Sequence, residues 1–280
     1  MAESPNKPRT DEARLDFASI GGLLLALGGI VGGLILEGGR IQDVSQITAA
    51  IIVFGGTLGA VMVNSPIAAL RGALRRLPEI FRERGSSWDG LVNDIISYAV
   101  KARKTGLVSL ETETAAIGDP FLKKALDLAI DGTDLQELRQ MMQLQIAIEE
   151  QRAEADAKVF ESAGGFAPTI GIIGAVMGLI QVMKNLANIE EVGHGIAVAF
   201  VATVYGVASA NLFFLPAAGK IKARSHRETE RKDLMLEGVS AIVEGLNPMI
   251  IRSKLEPYLD HPAQGKSPAT PANRRGARAA

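Results

Sequence analysis

Four long stretches without a charged side chain constrain the fold of this chain more than any other feature of its sequence. They cover residues 17–36, 47–69, 163–183 and 195–219, called spans one to four below, and charged residues crowd into the segments around them. About 20 apolar residues in a helix, at about 1.5 Å of rise each, cross the ~30 Å hydrocarbon core of a bilayer. The sequence therefore predicts an all-α membrane protein with four transmembrane helices.

Short loops join the spans in pairs. The segment that begins "EGGR" connects spans one and two, and "KNLANIEEV" connects spans three and four, so the spans are expected to form two hairpins. Between the hairpins, apolar residues recur at spacings of three and four, at positions 121–130 and 135–142, which is typical of amphipathic helices. No break precedes Gly164, so the third span is expected to continue a cytoplasmic helix.

Basic residues indicate which ends of the spans face the cytoplasm. "RGALRRLPEIFRER" follows span two and "KIKARSHRETERK" follows span four, whereas the short loops carry only Arg40 and Lys184. Both termini and the long middle segment are therefore expected in the cytoplasm. The predicted divisions are a cytoplasmic N-terminus (1–16), a transmembrane hairpin (17–69), a large cytoplasmic helical segment (70–162), a second hairpin (163–219), a cytoplasmic amphipathic helix (220–258) and a disordered tail (259–280).

Composition and motifs exclude several classes of function. The 30 basic and 31 acidic residues give a net charge of -1 and no reason to expect nucleic acid. The chain has no cysteine, and its three histidines lie far apart without the spacing of metal ligands. No catalytic grouping is present, so neither an enzyme nor a cofactor is expected. The N-terminal residues lack the basic region of a signal peptide, so span one is expected to remain in the mature protein.

Small residues and prolines distinguish spans three and four. Glycine and alanine at helical spacing predict close helix packing in lipid. Pro168 and Pro216 lie at matching cytoplasmic ends of these spans, and each either kinks its helix or serves as a hinge. Thr203 either bonds to the Ala199 carbonyl one turn back or lines a wet path. Ionisable residues in membranes mark ion and proton paths, and the spans contain none, so an acid would have to come from another polypeptide.

Several motifs in this order resemble a known family. They are "LEGGRI", "GGTLGAVMVNSP", "GGFAPTIGIIGAVMGLI" and "AVAFVATVYGVASANLFFLPAAGKI". Over roughly residues 15 to 255 the chain is similar to the flagellar stator subunits of the MotA, TolQ and ExbB proton-channel family. The resemblance implies an inner-membrane ring of five copies around two MotB chains, each supplying an aspartate within the membrane. Ion flow would turn the ring against the rotor protein FliG.

The resemblance also assigns roles to residues. Pro168 and Pro216 match prolines of the conformational cycle, and Thr203 matches a threonine near the ion path. "KARKTGLVSLETE" resembles the element that faces the rotor; Arg103 and Glu111 match its charged pair, and the neighbours Lys101 and Lys104 are candidates to share that role.

The coupling ion and two alternative functions remain open. Sodium-driven relatives tend to carry threonine where this sequence has Ala175, and sodium needs more oxygen ligands than a proton, so protons are favoured. One alternative is an energiser of the cell envelope of the TolQ or ExbB type, but those relatives are expected to have three spans. The other is a membrane scaffold that does not conduct, which leaves the paired prolines without a purpose.

Overall fold

The computed structural model describes residues 13–84 and 87–259, and nearly all of them are helical. The helices are α1 (Phe17–Leu36), α2 (Ile47–Ala50), α3 (Gly56–Asn64), α4 (Ile67–Ile80), α5 (Trp88–Thr105), α6 (Glu111–Thr114), α7 (Pro120–Ile130), α8 (Leu135–Lys184), α9 (Ile189–Ser209), α10 (Leu215–Val243) and α11 (Pro248–Leu259). Turns of 3-10 helix cover Ile41–Val44 and Leu107–Leu110, and π-helical turns cover Ile51–Gly55 and Ala210–Phe214. The predicted all-α class with four spans is confirmed.

Within residues 13–84 and 87–259, four helices are long and apolar enough to cross a membrane. Span one is α1. Span two is α2 and α3 with the π-helical turn between them, and it ends at Asn64 rather than at the predicted residue 69, because Ser65 and Pro66 adopt extended backbone. Span three is the last part of α8, and span four runs through α9 into the start of α10. The first span has the predicted bounds, because the absence of charge between Asp16 and Glu37 fixes both ends.

Helix α8 is a single rod of 50 residues. Asp134 caps its start by accepting a hydrogen bond from the Gln136 backbone N–H, and the helix runs from Leu135 to Lys184. At about 1.5 Å per residue its length is about 75 Å, far more than the ~30 Å that a bilayer core requires. Its first part therefore extends well beyond the membrane, and the predicted continuity of span three with the helix before it is confirmed.

Two local features differ from the predictions. The amphipathic helix predicted over 220–258 is wrong as a single helix, because the chain breaks between α10 and α11 at Gly245, with a φ of 70°, just before Pro248. A three-residue strand, β1 (Ala13–Leu15), pairs antiparallel with β2 (Arg82–Arg84) and ties the N-terminal segment to the end of α4. The predicted disordered tail lies outside the described residues from position 260 onwards.

Three apolar clusters hold the fold. The largest joins α5, α7, α8, α10 and α11 in the cytoplasmic segment, with Ile95, Leu138 and Leu234 at its buried centre. A second cluster, rich in alanine, joins α4 to α8 and α10 near the cytoplasmic ends of the spans. A third joins span two to span four through Ala49, Val53 and Val201, among others. Span one buries no residue in the described part of the chain.

Candidate functional site

Spans three and four pack along a line of small residues. A Cβ atom added to Gly206 would lie 2.5 Å from the Ala167 carbonyl oxygen, and one added to Gly178 would lie 2.7 Å from the Gly195 carbonyl oxygen. Both neighbours are backbone atoms, which cannot give way unless the helices separate. The two helices therefore touch at their backbones, as the small residues predicted.

Thr203 and Ala175 lie on the two helices of this pair, and both are half-buried. The Thr203 hydroxyl donates a hydrogen bond to the Ala199 carbonyl oxygen at 3.2 Å. This bond within the helix is the ordinary arrangement of a membrane threonine. It leaves the lone pairs of the hydroxyl oxygen as acceptors, whereas Ala175 offers only a methyl group. A role in an ion path stays a prediction for both residues.

The structure brings the neighbourhoods of the two prolines together. Pro168 lies inside α8 and has no N–H to donate to the Gly164 carbonyl. Gly164 packs against the residue before Pro216: a Cβ added there would lie 2.5 Å from Cδ2 of Leu215. The turn of α8 that lacks a hydrogen bond thus rests against the turn of span four that contains the second proline.

A π-helical turn precedes Pro216, and sequence reasoning did not predict it. The Leu215 N–H donates to the Ala210 carbonyl oxygen, five residues back. Pro216 cannot donate to the Leu212 carbonyl and its ring crowds that oxygen, so the wider turn relieves the clash. Such turns are frequent at functional sites and mark a place where the helix is already loosened.

No Asp, Glu, His, Lys or Arg side chain lies within the four spans, all of which belong to the described part of the chain. Across residues 13–84 and 87–259, no group of three His, Asp or Glu side chains is placed to hold a metal ion. The described spans therefore offer oxygen ligands but no carboxylate or imidazole to take up and release a proton within the membrane.

Tyr205 is a residue of the helix pair that sequence reasoning missed. Its hydroxyl donates to the Val44 carbonyl oxygen at 2.6 Å and accepts a hydrogen bond from the Gln46 backbone N–H at 3.3 Å. Its ring stacks on Phe54 with centroids 6.0 Å apart. The hydroxyl thereby satisfies backbone groups where the chain enters span two, which lipid cannot do. A tyrosine within an otherwise apolar span was the available signal.

The four charged residues that the resemblance assigns to the rotor contact lie around the turn from α5 to α6. Arg103 and Lys104 are exposed in the last turn of α5, and Glu111 is exposed at the start of α6. Lys101 differs from them, since its ammonium group pairs with Glu113 at 2.8 Å and so holds α5 to α6. The structure thus exposes Arg103, Lys104 and Glu111 on either side of the turn that Lys101 and Glu113 bridge.

Two family models match the chain. The model of the MotA/TolQ/ExbB proton channel family matches residues 113–234. The model of the motility protein A N-terminal region matches residues 20–98. Between them they cover most of both hairpins and much of the cytoplasmic segment.

Relatives and solved structures agree with these matches. Motility protein A of Bacillus subtilis (strain 168) is 33% identical over 246 residues, which are 88% of this chain and 91% of that protein. The structure of C. jejuni MotAB is similar with a TM-score of 0.84 and 31% identity, over 90% of this chain and 100% of that one. The flagellar MotAB stator complex from Bacillus subtilis gives a TM-score of 0.80 and 33% identity, over 86% of this chain and 95% of that one. With its four apolar helices, this multi-pass membrane protein belongs to the MotA/TolQ/ExbB proton channel family.

Proposed function

We propose that the chain is the ion-conducting stator subunit of a bacterial flagellar motor, which converts ion flow across the inner membrane into torque on the rotor. The observation that carries the proposal is the likeness, over nearly the full length, to chains of MotAB structures. The four spans favour this function over that of a TolQ or ExbB type of energiser, for which three are expected. A scaffold that does not conduct is favoured by no observation.

The uncharged spans define what the partner contributes. Proton transfer within a membrane needs a group that is charged and neutralised in turn, and spans one to four contain no Asp, Glu, His, Lys or Arg to serve as one. A MotB-type chain with one span supplies that group as a carboxylate, and five copies of the present chain surround two copies of the partner. Spans three and four, as the tightest pair, face the partner helix.

Basic residues orient the chain in the bacterial inner membrane. The arginines of α4 and the basic residues of α10 lie just beyond spans two and four. By the excess of positive charge on the cytoplasmic side, both termini and the segment from α4 to the start of α8 lie in the cytoplasm.

Thr203 and Ala175 set the immediate environment of the partner carboxylate. The Thr203 hydroxyl uses its proton within its own helix, so its oxygen accepts hydrogen bonds from water or from a protonated carboxyl group. Ala175 contributes no oxygen, and this removes a ligand that dehydrated sodium would need. Protons are therefore the proposed coupling ion.

Pro168 and Pro216 permit the change of shape that follows ion binding. The contact of Gly164 with Leu215 makes the two loosened turns adjacent, so bending in one helix is passed to the other. The exposed charges of Arg103, Lys104 and Glu111 then act on the rotor protein FliG, and Lys101 holds the turn that presents them.

Rotation in a cell without its own stators tests this function. The chain is produced together with a MotB-type partner, and rotation of tethered cells is recorded. The proposal predicts rotation with the intact partner and none with a partner whose membrane aspartate is replaced by asparagine. Normal rotation with that altered partner, or no rotation with the intact one, contradicts it.

A further inference from the structure

Asp16 joins three segments at the cytoplasmic end of span one. Its carboxylate accepts hydrogen bonds from the Ser19 backbone N–H at 3.0 Å, from the Ser19 hydroxyl at 2.8 Å and from the Lys220 ammonium at 2.6 Å. Its own backbone N–H donates to the Phe81 carbonyl oxygen at 3.0 Å. The bond to Lys220 holds the pKa of the Asp16 carboxyl well below its usual range, so the pair is ionic. One residue thus connects span one, the end of α4 and α10.

Span one lacks the buried side chains that would hold it against the rest of the described chain. No residue of α1 is buried in the described part of the chain, and a cavity of about 420 Å³ lies between α1 and the end of span four. Its lining includes Ala18 and Gly22 from span one, and Phe213 and Pro216 from span four. Lys220 also lines this gap, so the ion pair lies at its edge. Its loss would leave the two helices with few contacts there.

Lys220 is placed to follow changes at Pro216. It lies four residues beyond the proline on α10, about one helical turn away. Any bend at the π-helical turn before Pro216 therefore displaces the Lys220 side chain. Asp16 is only 9% exposed, whereas the Lys220 side chain is 43% exposed, so solvent screens the pair in part. Ser19 holds the Asp16 carboxylate at span one, and the Asp16 backbone N–H bonds to Phe81 at the end of α4.

We propose that Asp16 and Lys220 are positioning residues whose ion pair holds span one to the cytoplasmic continuation of span four and makes span one follow movement at Pro216. The inference rests on the proposed stator function and adds to it a part for the first span. Torque from each assembled unit then depends on the pair, although neither side chain touches the ion path.

The chain supplies conservative variants and a matched control. D16N removes the charge but keeps an oxygen that accepts from the Ser19 N–H, because Asn and Asp serve equally well at the start of a helix. K220Q removes the positive charge, whereas K220R keeps a positive charge at the same position. K222Q is the control: Lys222 lies on the same helix and pairs with Glu161 at 2.6 Å, but it joins α10 to α8 and not to span one.

Two measurements test the pair. The first is the height of single speed steps as stator units join a motor, which reports torque per unit and is insensitive to the number of units. The second is the rate of cross-linking between cysteines introduced at Ala18 and Ala217, in isolated membranes; the chain has no cysteine of its own. D16N and K220Q are expected to lower the step height and to slow cross-linking about tenfold, the factor expected from loss of one hydrogen bond to a charged group. K220R and K222Q are expected to retain both.

The outcomes separate this inference from the proposed function. If the wild-type chain drives no rotation, the proposed function is wrong. If it does, unchanged step heights in D16N and K220Q overturn the positioning role. If either variant fails to join motors, the test is the cross-linking rate between cysteines at Ala18 and Ala217. A rate equal to that of the chain with Asp16 and Lys220 intact shows that the ion pair does not hold span one.

Discussion

Replacing Gly206 by alanine should force spans three and four apart. The added Cβ would lie 2.5 Å from the Ala167 carbonyl oxygen, about 0.9 Å less than the 3.4 Å at which ordinary contact begins, and 3.1 Å from Cα of Gly171. To relieve this overlap the two helices would have to separate by up to about 0.9 Å, which forfeits roughly a quarter to a half of the dispersion energy of each contact along the pair. Overpacking typically costs about 1–3 kcal/mol, and the better helix propensity of alanine returns up to about 1 kcal/mol. We expect a net loss of about 1–2 kcal/mol.

The assay is unfolding of the purified protein by a denaturing detergent, followed by helix content. Gly193 is the matched control, since it lies on the same helix and a Cβ added to it meets nothing within 4 Å. Gly193→Ala should leave the free energy of unfolding unchanged or slightly raised. Equal stability of the two variants would refute the close approach of spans three and four.

Three further substitutions test other parts of the account. Pro216→Ala supplies an N–H for the Leu212 carbonyl and should convert the π-helical turn to regular helix. Because the hinge is then lost but the span is intact, the protein should reach normal levels in the membrane while swimming fails. Normal swimming at normal membrane levels would contradict the hinge. Arg103→Glu should impair swimming without loss of partner binding, whereas Lys123→Glu, an exposed charge on α7, should not; equal effects of the two argue against a specific rotor contact. Tyr205→Phe leaves the Val44 carbonyl and the Gln46 N–H unpaired and should lower the free energy of unfolding by about 1–3 kcal/mol, measured as for Gly206; no change would mean that water replaces the hydroxyl.

Much of the fold follows from local patterns in the sequence. The four spans are uncharged windows of the length that a bilayer requires, and the apolar spacing before Gly164 carries no break, so the long α8 was predictable. The break between α10 and α11 also had a local signal, the "EGLNP" stretch, in which Gly245 adopts a positive φ and a proline follows. The break was not predicted because the amphipathic pattern continues both before and after this stretch.

The contacts that organise the site depend on residues far apart in the chain. The Tyr205 hydroxyl reaches the Val44 carbonyl across 161 residues, and Lys220 reaches Asp16 across 204. No spacing or periodicity links such partners, because they meet only when the hairpins pack. The π-helical turn before Pro216 could be predicted only in part. The proline is visible in the sequence, but whether the helix kinks or widens its turn at a proline depends on the neighbouring helices.

Ion flux in vesicles tests the central claim most directly. Vesicles are prepared with this chain alone, with this chain and a MotB-type partner free to conduct, and with a partner whose membrane aspartate is replaced by asparagine. A proton gradient is imposed without sodium, and the internal pH is followed. The account predicts proton uptake only with the intact partner, because the four spans contain no Asp, Glu or His side chain. It predicts no need for sodium, because the Ala175 side chain provides no oxygen ligand. Uptake by this chain alone, or uptake with the intact partner only when a sodium gradient is supplied, would contradict it.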